Sequence, residues 1–225
     1  MKGVAIMASL AKITLKEQVY SNIMDDILGG CFLMDEFLTE RQLIERYKMS
    51  KAPVREALVE LCNEHVLKSI PRLGYQIIPV TEKEIADAIE LRLNLELTAF
   101  KKMIPHFNDS MLHQISQLNQ DWWQEVISNN EMTLRRRWEH NSIFHATLCS
   151  LGGNLLAADV VRRMVELEFR AYAQMLSTPE QRWEFFANST KPHIEIEKAL
   201  TNRDFQLAEE LLRDDILSLR DAVHF

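Results

Sequence analysis

The stretch Thr39–Leu61, TERQLIERYKMSKAPVREALVEL, constrains the fold more than any other part of the chain. Thr39 followed by Gln42 is a capping-box start, and Leu43, Ile44 and Tyr47 recur on one side of the helix it opens. Lys48-Met49 leaves room only for a turn. Ser50 then stands at the cap position of a second helix, with Pro53 in the first turn, where a missing N–H is harmless. Val54, Ala57, Leu58 and Leu61 bury one face of that helix. Lys51 and Arg55 stay on the other face near its start, the part of a recognition helix that meets a major groove. Two readings stand at this point: a DNA-binding helix-turn-helix and a purely structural helical hairpin. The next residues favour the first. Leu67–Ile70 reads as a strand, Pro71-Arg72-Leu73-Gly74 as a turn and Tyr75–Val80 as a second strand, so a wing follows the second helix. Arg72 at its tip is placed to reach a phosphate or the minor groove.

With those residues in view, the chain resembles the winged-helix regulators of the GntR family. Their L-x-E-R-x-L and S-R-x-P-V-R-E-A-L signatures stand here as Leu38-Thr39-Glu40-Arg41-Gln42-Leu43 and Ser50-Lys51-Ala52-Pro53-Val54-Arg55-Glu56-Ala57-Leu58, and the wing closes on Arg72-Leu73-Gly74. The resemblance implies that Arg41, Ser50, Lys51, Ala52 and Arg55 lie against double-stranded operator DNA, with Arg72 and Gly74 in the minor groove. Two departures bear on the operator. Lys51 replaces an arginine, exchanging a bidentate fork for a point charge. Ala52 replaces a hydroxyl residue and offers only a methyl group.

A net charge of −7 over 225 residues looks unsuited to a DNA binder until it is divided. Residues 1–80 hold equal numbers of basic and acidic side chains, and the whole excess of acid falls in 81–225. A locally basic surface on the first part is therefore compatible with the total. Three widely spaced cysteines, Cys31, Cys62 and Cys149, point to a reducing compartment without disulfides. The start, MKGVAIMASLAK, is too short for a signal peptide, and no apolar run is long enough to span a membrane. The expectation is a cytoplasmic protein. A helix from Thr14, with a Thr14/Glu17 capping box and a stripe at Val19, Tyr20, Ile23, Met24 and Ile27, stops at Gly29-Gly30.

The domain boundary is expected at Val80-Thr81, giving a winged helix-turn-helix over 1–80 and an all-helical bundle over 81–225 for effector binding and dimerisation. Thr81 and Glu84 form another capping box. Breaks are expected at Pro105, Asn129-Asn130, Gly152-Gly153, Ser177-Thr178-Pro179, Lys191-Pro192 and Thr201–Asp204. The helix IADAIELRLNLELTAFKKMI is apolar on most faces, so it is central or lies at a subunit interface. Within it Arg92 and Glu96 are four apart, which reads either as an intrahelical ion pair or as an anion clamp facing a cavity. Trp122-Trp123 cannot share one helix face, so one belongs in the core and the other is half-exposed. Arg135-Arg136-Arg137 reads as the wet side of a helix.

Four polar residues interrupt apolar stripes. Asn141 and His145 fall one turn apart among Leu134, Trp138, Leu148 and Leu151; His193 precedes Ile196 and Leu200; Asp215 lies among Leu211, Leu212, Ile216 and Leu219. A buried carboxylate needs a partner, and two histidines with an oxygen ligand make a divalent-metal set. Singly, each histidine reads equally as a satisfied core residue. Here a second resemblance enters, to the helical ligand-binding domain called FCD of the FadR-like branch of the family. Its motifs stand as Asn141-Ser142-Ile143-Phe144-His145, Gly153-Asn154, His193-Ile194-Glu195-Ile196-Glu197-Lys198-Ala199, and Asp204 with Ala208 and Asp215. Where relatives hold a metal with Asp, His, His and His, this chain has Asn141, His145, His193 and Asp215.

The leading reading is a DNA-binding transcriptional regulator and not an enzyme. The resemblance implies a homodimeric repressor released by a small carboxylate or sugar-acid effector, which Arg92, Asn141, His145, His193 and Asp215 would bind beside a zinc, nickel or manganese ion. Two alternatives remain open: a metal-dependent enzyme built on the helical domain, and a regulator whose pocket binds its effector without metal.

Overall fold

The computed structural model describes residues 13–32, 35–128, 134–176, 178, 180–181 and 190–221. Helix α1, Leu15–Leu28, starts where the Thr14 hydroxyl accepts from Glu17 N at 3.2 Å while Glu17 reaches back to Thr14 N at 2.7 Å. It buries Val19, Ile23, Met24 and Ile27. Helix α2, Glu40–Tyr47, has the capping box expected of Thr39 and Gln42 and ends at Lys48 in the left-handed region. Asp26 of α1 ties the two together by accepting from Arg46 and from the Tyr47 hydroxyl, each at 2.6 Å.

Helix α3, Lys51–Asn63, buries Pro53, Val54, Ala57, Leu58 and Leu61. Ser50 occupies its N-cap position, yet its side chain makes no capping bond. The backbone supplies the helix start and the hydroxyl stays exposed. Strands β1, Leu67–Ile70, and β2, Gly74–Ile77, pair antiparallel with Leu67 opposite Ile77 and Ile70 opposite Gly74. The second strand starts one residue earlier than the sequence pattern implies and ends before Pro79, which has no N–H to give. A third segment joins this wing: Leu38 N donates to Tyr75 O at 2.7 Å, and Tyr75 N returns the bond to Leu38 O at 2.8 Å. A Cβ on Gly74 would stand 2.4 Å from Leu38 O, and its φ is +127°, so only glycine fits.

The chain divides into two compact units; the first ends at Ile78, and the second comprises Leu28–Gly30 and the residues from Pro79 on. In the second, α4 (Glu82–Met103) is capped by Thr81 and Glu84 as expected and passes into a 3₁₀ turn at Ile104–His106, where Pro105 removes a donor. Helices α5 (Asp109–Ser128), α6 (Leu134–Leu151), α7 (Leu155–Met175), α8 (Lys191–Thr201) and α9 (Phe205–Asp221) follow. Helix α4 is central, packing on α6, α7 and α9, with Ile89, Phe100, Phe144, Leu148, Leu200 and Leu212 in the shared core. Trp122 is buried and Trp123 is 48% exposed, as their adjacency requires. Arg136 pairs with Glu125 and Glu139 on the outside of α6. A helix starts at the break expected at Lys191-Pro192, with Pro192 in the first turn of α8, where its fixed φ helps the start. The expected breaks at Asn129-Asn130, Ser177 and Pro179 lie outside the described residues.

The end of α6 shows how tightly this unit is packed. A Cβ on Gly152 would lie 2.2 Å from Ala99 O of α4, against backbone that cannot yield, whereas Gly153 has open space and a φ of +79°. Gly152→Ala is therefore expected to lower stability by about 3 kcal/mol through overpacking, and Gly153→Ala by about 1 kcal/mol through backbone strain alone. Thermal melts followed by circular dichroism check the order; equal losses would mean that α4 and α6 can move apart.

Candidate functional site

In the first unit the sequence-selected residues gather on the start of α3 and the neighbouring α2. Ser50, Lys51, Ala52 and Arg55 are all exposed, with side-chain exposures of 66% for Lys51 and 58% for Arg55. Arg41 on α2 is 88% exposed and pairs with Glu45 at 2.9 Å. Arg55 is not bare: its Nε and Nη2 donate to the two oxygens of Glu40 at 2.9 and 3.3 Å. Glu40 and Arg55 are fifteen residues apart on different helices, so no local pattern joins them. Arg72 lies at the wing tip, exposed and with φ +71°, and Leu73 beside it is 51% exposed. Gly74 stands next to them, and its structural role is the close approach to Leu38.

In the second unit the site is interior. His145 of α6, His193 of α8 and Asp215 of α9 place one donor atom each within 4.8 Å of one another, all buried. His145 Nε2 lies 3.2 Å and His193 Nε2 3.6 Å from Asp215 Oδ2. Neither approach is a hydrogen bond: Asp215 Oδ2 and His193 Nε2 are buried without a bonding partner. Ligand atoms around a tetrahedral ion at about 2.1 Å are separated by roughly 3.4 Å, so these distances suit a shared cation better than they suit pairwise bonds. The other ring nitrogen of His145, Nδ1, is 2.6 Å from Glu96 Oε2. A carboxylate there fixes the tautomer that leaves Nε2 as the donor atom, the usual support of a metal-bound imidazole. The residues present thus fit a divalent metal. Asn141 is buried one turn before His145 on α6.

Arg92 resolves toward the ion-pair reading. It is fully buried, its Nε donates to Glu96 Oε1 at 2.7 Å, and its Nη1 donates to Glu168 Oε2 on α7. Two carboxylates have already claimed its charge, so it is not an open clamp for an anion; only Nη2 remains without a partner. Glu168 was missed in the sequence, although it interrupts the stripe Val161, Val165, Phe169 and Tyr172 just as Asp215 interrupts its own. The same rule would have found it.

The charges in this interior have a definite balance. With both imidazoles neutral, Arg92 faces three carboxylates, Glu96, Glu168 and Asp215, an excess of two negative charges that one dication would cancel. Protons are the alternative compensation. Burial would lower the His145 pKa, but the Glu96 and Asp215 carboxylates together outweigh it and lift it to about 9. Burial lifts Glu168 to about 7 against the pull of Arg92. Burial would also raise Asp215, yet the two imidazoles hold it well below the usual carboxylate range. His193 is lowered, by burial first.

For metal-free protein the sign follows from His145. Its folded pKa lies above its ordinary 6.5, so its contribution to stability is complete below pH 6.5 and is lost as pH rises through about 9. The stability gap between wild type and His145→Gln, both treated with chelator, is expected to shrink by on the order of 3 kcal/mol across that window. Urea unfolding at a series of pH values checks it; a gap that widens with pH would mean that His145 is buried neutral.

Comparison with known proteins places both units. Residues 15–77 match the model of bacterial regulatory proteins, gntR family, and residues 87–217 match the FCD domain. The HTH-type transcriptional repressor GlaR of Escherichia coli (strain K12) is 25% identical over 206 residues, covering 88% of this chain and 91% of that protein. The gluconate operon transcriptional repressor of Bacillus subtilis (strain 168) is 28% identical over 109 residues, 48% of this chain and 44% of its own length. Among solved structures, E. coli McbR/YncC superposes with a TM-score of 0.62 at 18% identity, over 93% of this chain and 99% of that one, which is a likeness of fold.

Proposed function

The chain belongs to the gntR family of bacterial regulatory proteins, with an FCD domain as its helical part, and from that premise we propose that it is a homodimeric repressor of the FadR-like branch, released from operator DNA by a small carboxylate or sugar acid bound in the FCD domain. DNA-binding regulation comes with the family, whose members are not catalysts, so the metal-dependent enzyme falls away. The observation that carries the rest is the convergence of His145, His193 and Asp215 on one buried point.

The DNA-facing half of the proposal rests on the exposed cations of α2, α3 and the wing. One α3 helix reads only a few base pairs, and two-fold symmetry supplies the remainder of an operator. Arg55 would read a base, Arg41 and Lys51 would contribute phosphate or base contacts, and Arg72 would enter the minor groove. Arg55→Ala is expected to weaken operator binding by about 1–3 kcal/mol, roughly ten- to a hundredfold, and to relax sequence preference. Quantitative gel shifts on duplexes enriched by the wild-type protein check this; an unchanged affinity would turn α3 away from the groove.

In the helical half, His145 and His193 would hold a divalent ion through their Nε2 atoms and Asp215 through a carboxylate oxygen, with Asn141 as a weak oxygen ligand or a hydrogen-bond donor to the effector. Such an ion supplies a Lewis-acid anchor for an effector carboxylate. Glu96 orients His145, and Arg92 holds Glu96 and Glu168 in place rather than binding the effector itself. The gluconate operon repressor among the relatives supports a sugar acid as the effector class. The effector changes DNA affinity only through the difference in its binding to the two dimer arrangements. The metal-free alternative draws support from His145 lying between Glu96 and Asp215, an arrangement that a protonated imidazole also fits.

Titration of chelator-treated protein with zinc, nickel or manganese decides between the two. We expect about one ion per chain and the release of about two protons near pH 6.5, because the ion replaces the protons carried by His145 and Glu168. Binding of less than roughly a tenth of an equivalent, with no proton release, would leave the pocket metal-free.

A further inference from the structure

The cations on α2 and α3 that the proposed reading sets against DNA are each met by a carboxylate of their own unit. Arg55 is held along one edge of its guanidinium by both oxygens of Glu40. Lys51 Nζ lies 3.9 Å from Glu40 Oε2, and Arg41 donates to Glu45. Glu40 is the fixed member of its cluster. Its side chain is 23% exposed, much less than that of Arg55 or Lys51, and it opens α2, where the positive end of the helix dipole favours a carboxylate. Exposed ion pairs of this kind contribute little to folding, so stability alone is a weak reason for placing an acid on the face that meets a polyanion.

We propose that Glu40 acts as an internal phosphate mimic that occupies Arg55 and Lys51 in the free protein, suppresses binding to DNA of arbitrary sequence, and thereby sets the preference for the operator. The inference rests on the reading of α3 as the DNA-facing helix. Non-specific affinity comes from the number of phosphates that basic side chains neutralise, and it grows with every uncompensated cation. A carboxylate bonded to Arg55 removes most of that gain. It does not remove base readout. The contact uses the Nε–Nη2 edge and leaves the Nη1–Nη2 end of the fork, which can still present two parallel donors to guanine O6 and N7. Glu40 therefore weakens the contacts that every sequence offers and leaves intact the one that distinguishes a sequence. The equal numbers of acidic and basic residues in 1–80 agree with a unit built to avoid indiscriminate binding.

The test uses the full chain as wild type, Glu40→Gln, Glu60→Gln and Arg55→Ala, with fluorescence anisotropy on two labelled duplexes across a salt series. One duplex is enriched from a random library by the wild-type protein, and the other is its scrambled counterpart. Glu40→Gln keeps the size of the side chain and one acceptor while removing the charge. We expect it to bind scrambled DNA roughly five- to tenfold more tightly at about 50 mM salt, with a salt slope steeper by about 0.9. Its operator affinity should change less, so that the ratio between the two falls. Glu60→Gln removes the same charge from α3, but from a carboxylate that engages Lys16 at 3.0 Å; it should leave the scrambled-DNA affinity within about twofold of wild type. An unchanged or weaker affinity of Glu40→Gln for scrambled DNA would overturn the proposal, as would an equal gain from Glu60→Gln, which would make the effect one of net charge. Arg55→Ala separates the two levels of inference: if it loses no operator affinity, the orientation of α3 is wrong and the role of Glu40 falls with it.

Discussion

The ion pair between Arg92 and Glu96 is made where neither side chain touches water, and a charge taken out of water costs several kcal/mol unless its partners are held in place. That cost explains much of the helical unit. Arg92 cannot be satisfied by Glu96 alone, so α7 brings Glu168 to its other side. Glu96 in turn spends its second oxygen on His145 of α6, and His145 turns its remaining nitrogen toward Asp215 of α9. One chain of polar contacts thus links the central α4 to three of the helices around it. Loss of Arg92 would leave the buried carboxylates Glu96 and Glu168 without their cation, a penalty of about 3–5 kcal/mol. The apolar core around Phe100, Phe144 and Leu200 provides the driving force for packing; the charges decide which packing is allowed.

The same chain of contacts makes the site chemically poised. An interior with two more negative than positive charges, once its imidazoles are neutral, is unstable by itself and must take up either protons or a cation. His145 and Glu168, whose pKa values are raised, can hold the protons that compensate for the excess. Proton and metal therefore compete for one electrostatic role, although Glu168 is not among the candidate ligands. A small anion arriving at such a centre changes the same balance again. This gives an effector a physical means of favouring one arrangement of the domain over another.

The reading head uses similar residue pairs under opposite conditions. Arg55 with Glu40 and Arg41 with Glu45 sit in water, where a pair of charges is worth about 0–1 kcal/mol and salt weakens it further. Such contacts do not hold the winged helix together. That work falls to Leu38, Leu43, Val54, Leu58 and Ile77, all buried, and to the backbone bridge between Leu38 and Tyr75. The exposed pairs are consequently free to exchange one partner for another, which a surface that meets both random and specific DNA requires.

What could be read from the sequence alone was whatever depends on neighbours in the chain. Capping boxes at Thr39 and Thr81, the helix stripes, the turn at Pro71–Gly74 and the division of Trp122 and Trp123 between core and surface all follow from spacings of a few residues, and the structure shows them. The histidines and Asp215 could be singled out because they break apolar stripes, and such breaks are local. Partners that lie far apart in the chain were not legible. No periodicity joins Glu40 to Arg55, Glu168 to Arg92 across 76 positions, or Tyr75 to Leu38. The pairing of Arg92 with two carboxylates likewise turned an apparent anion clamp into a structural ion pair. Sequence periodicity reports which face of an element is apolar. Only the packing of one element on another decides which buried charge meets which, because the cost of burial is settled between groups brought together by the fold.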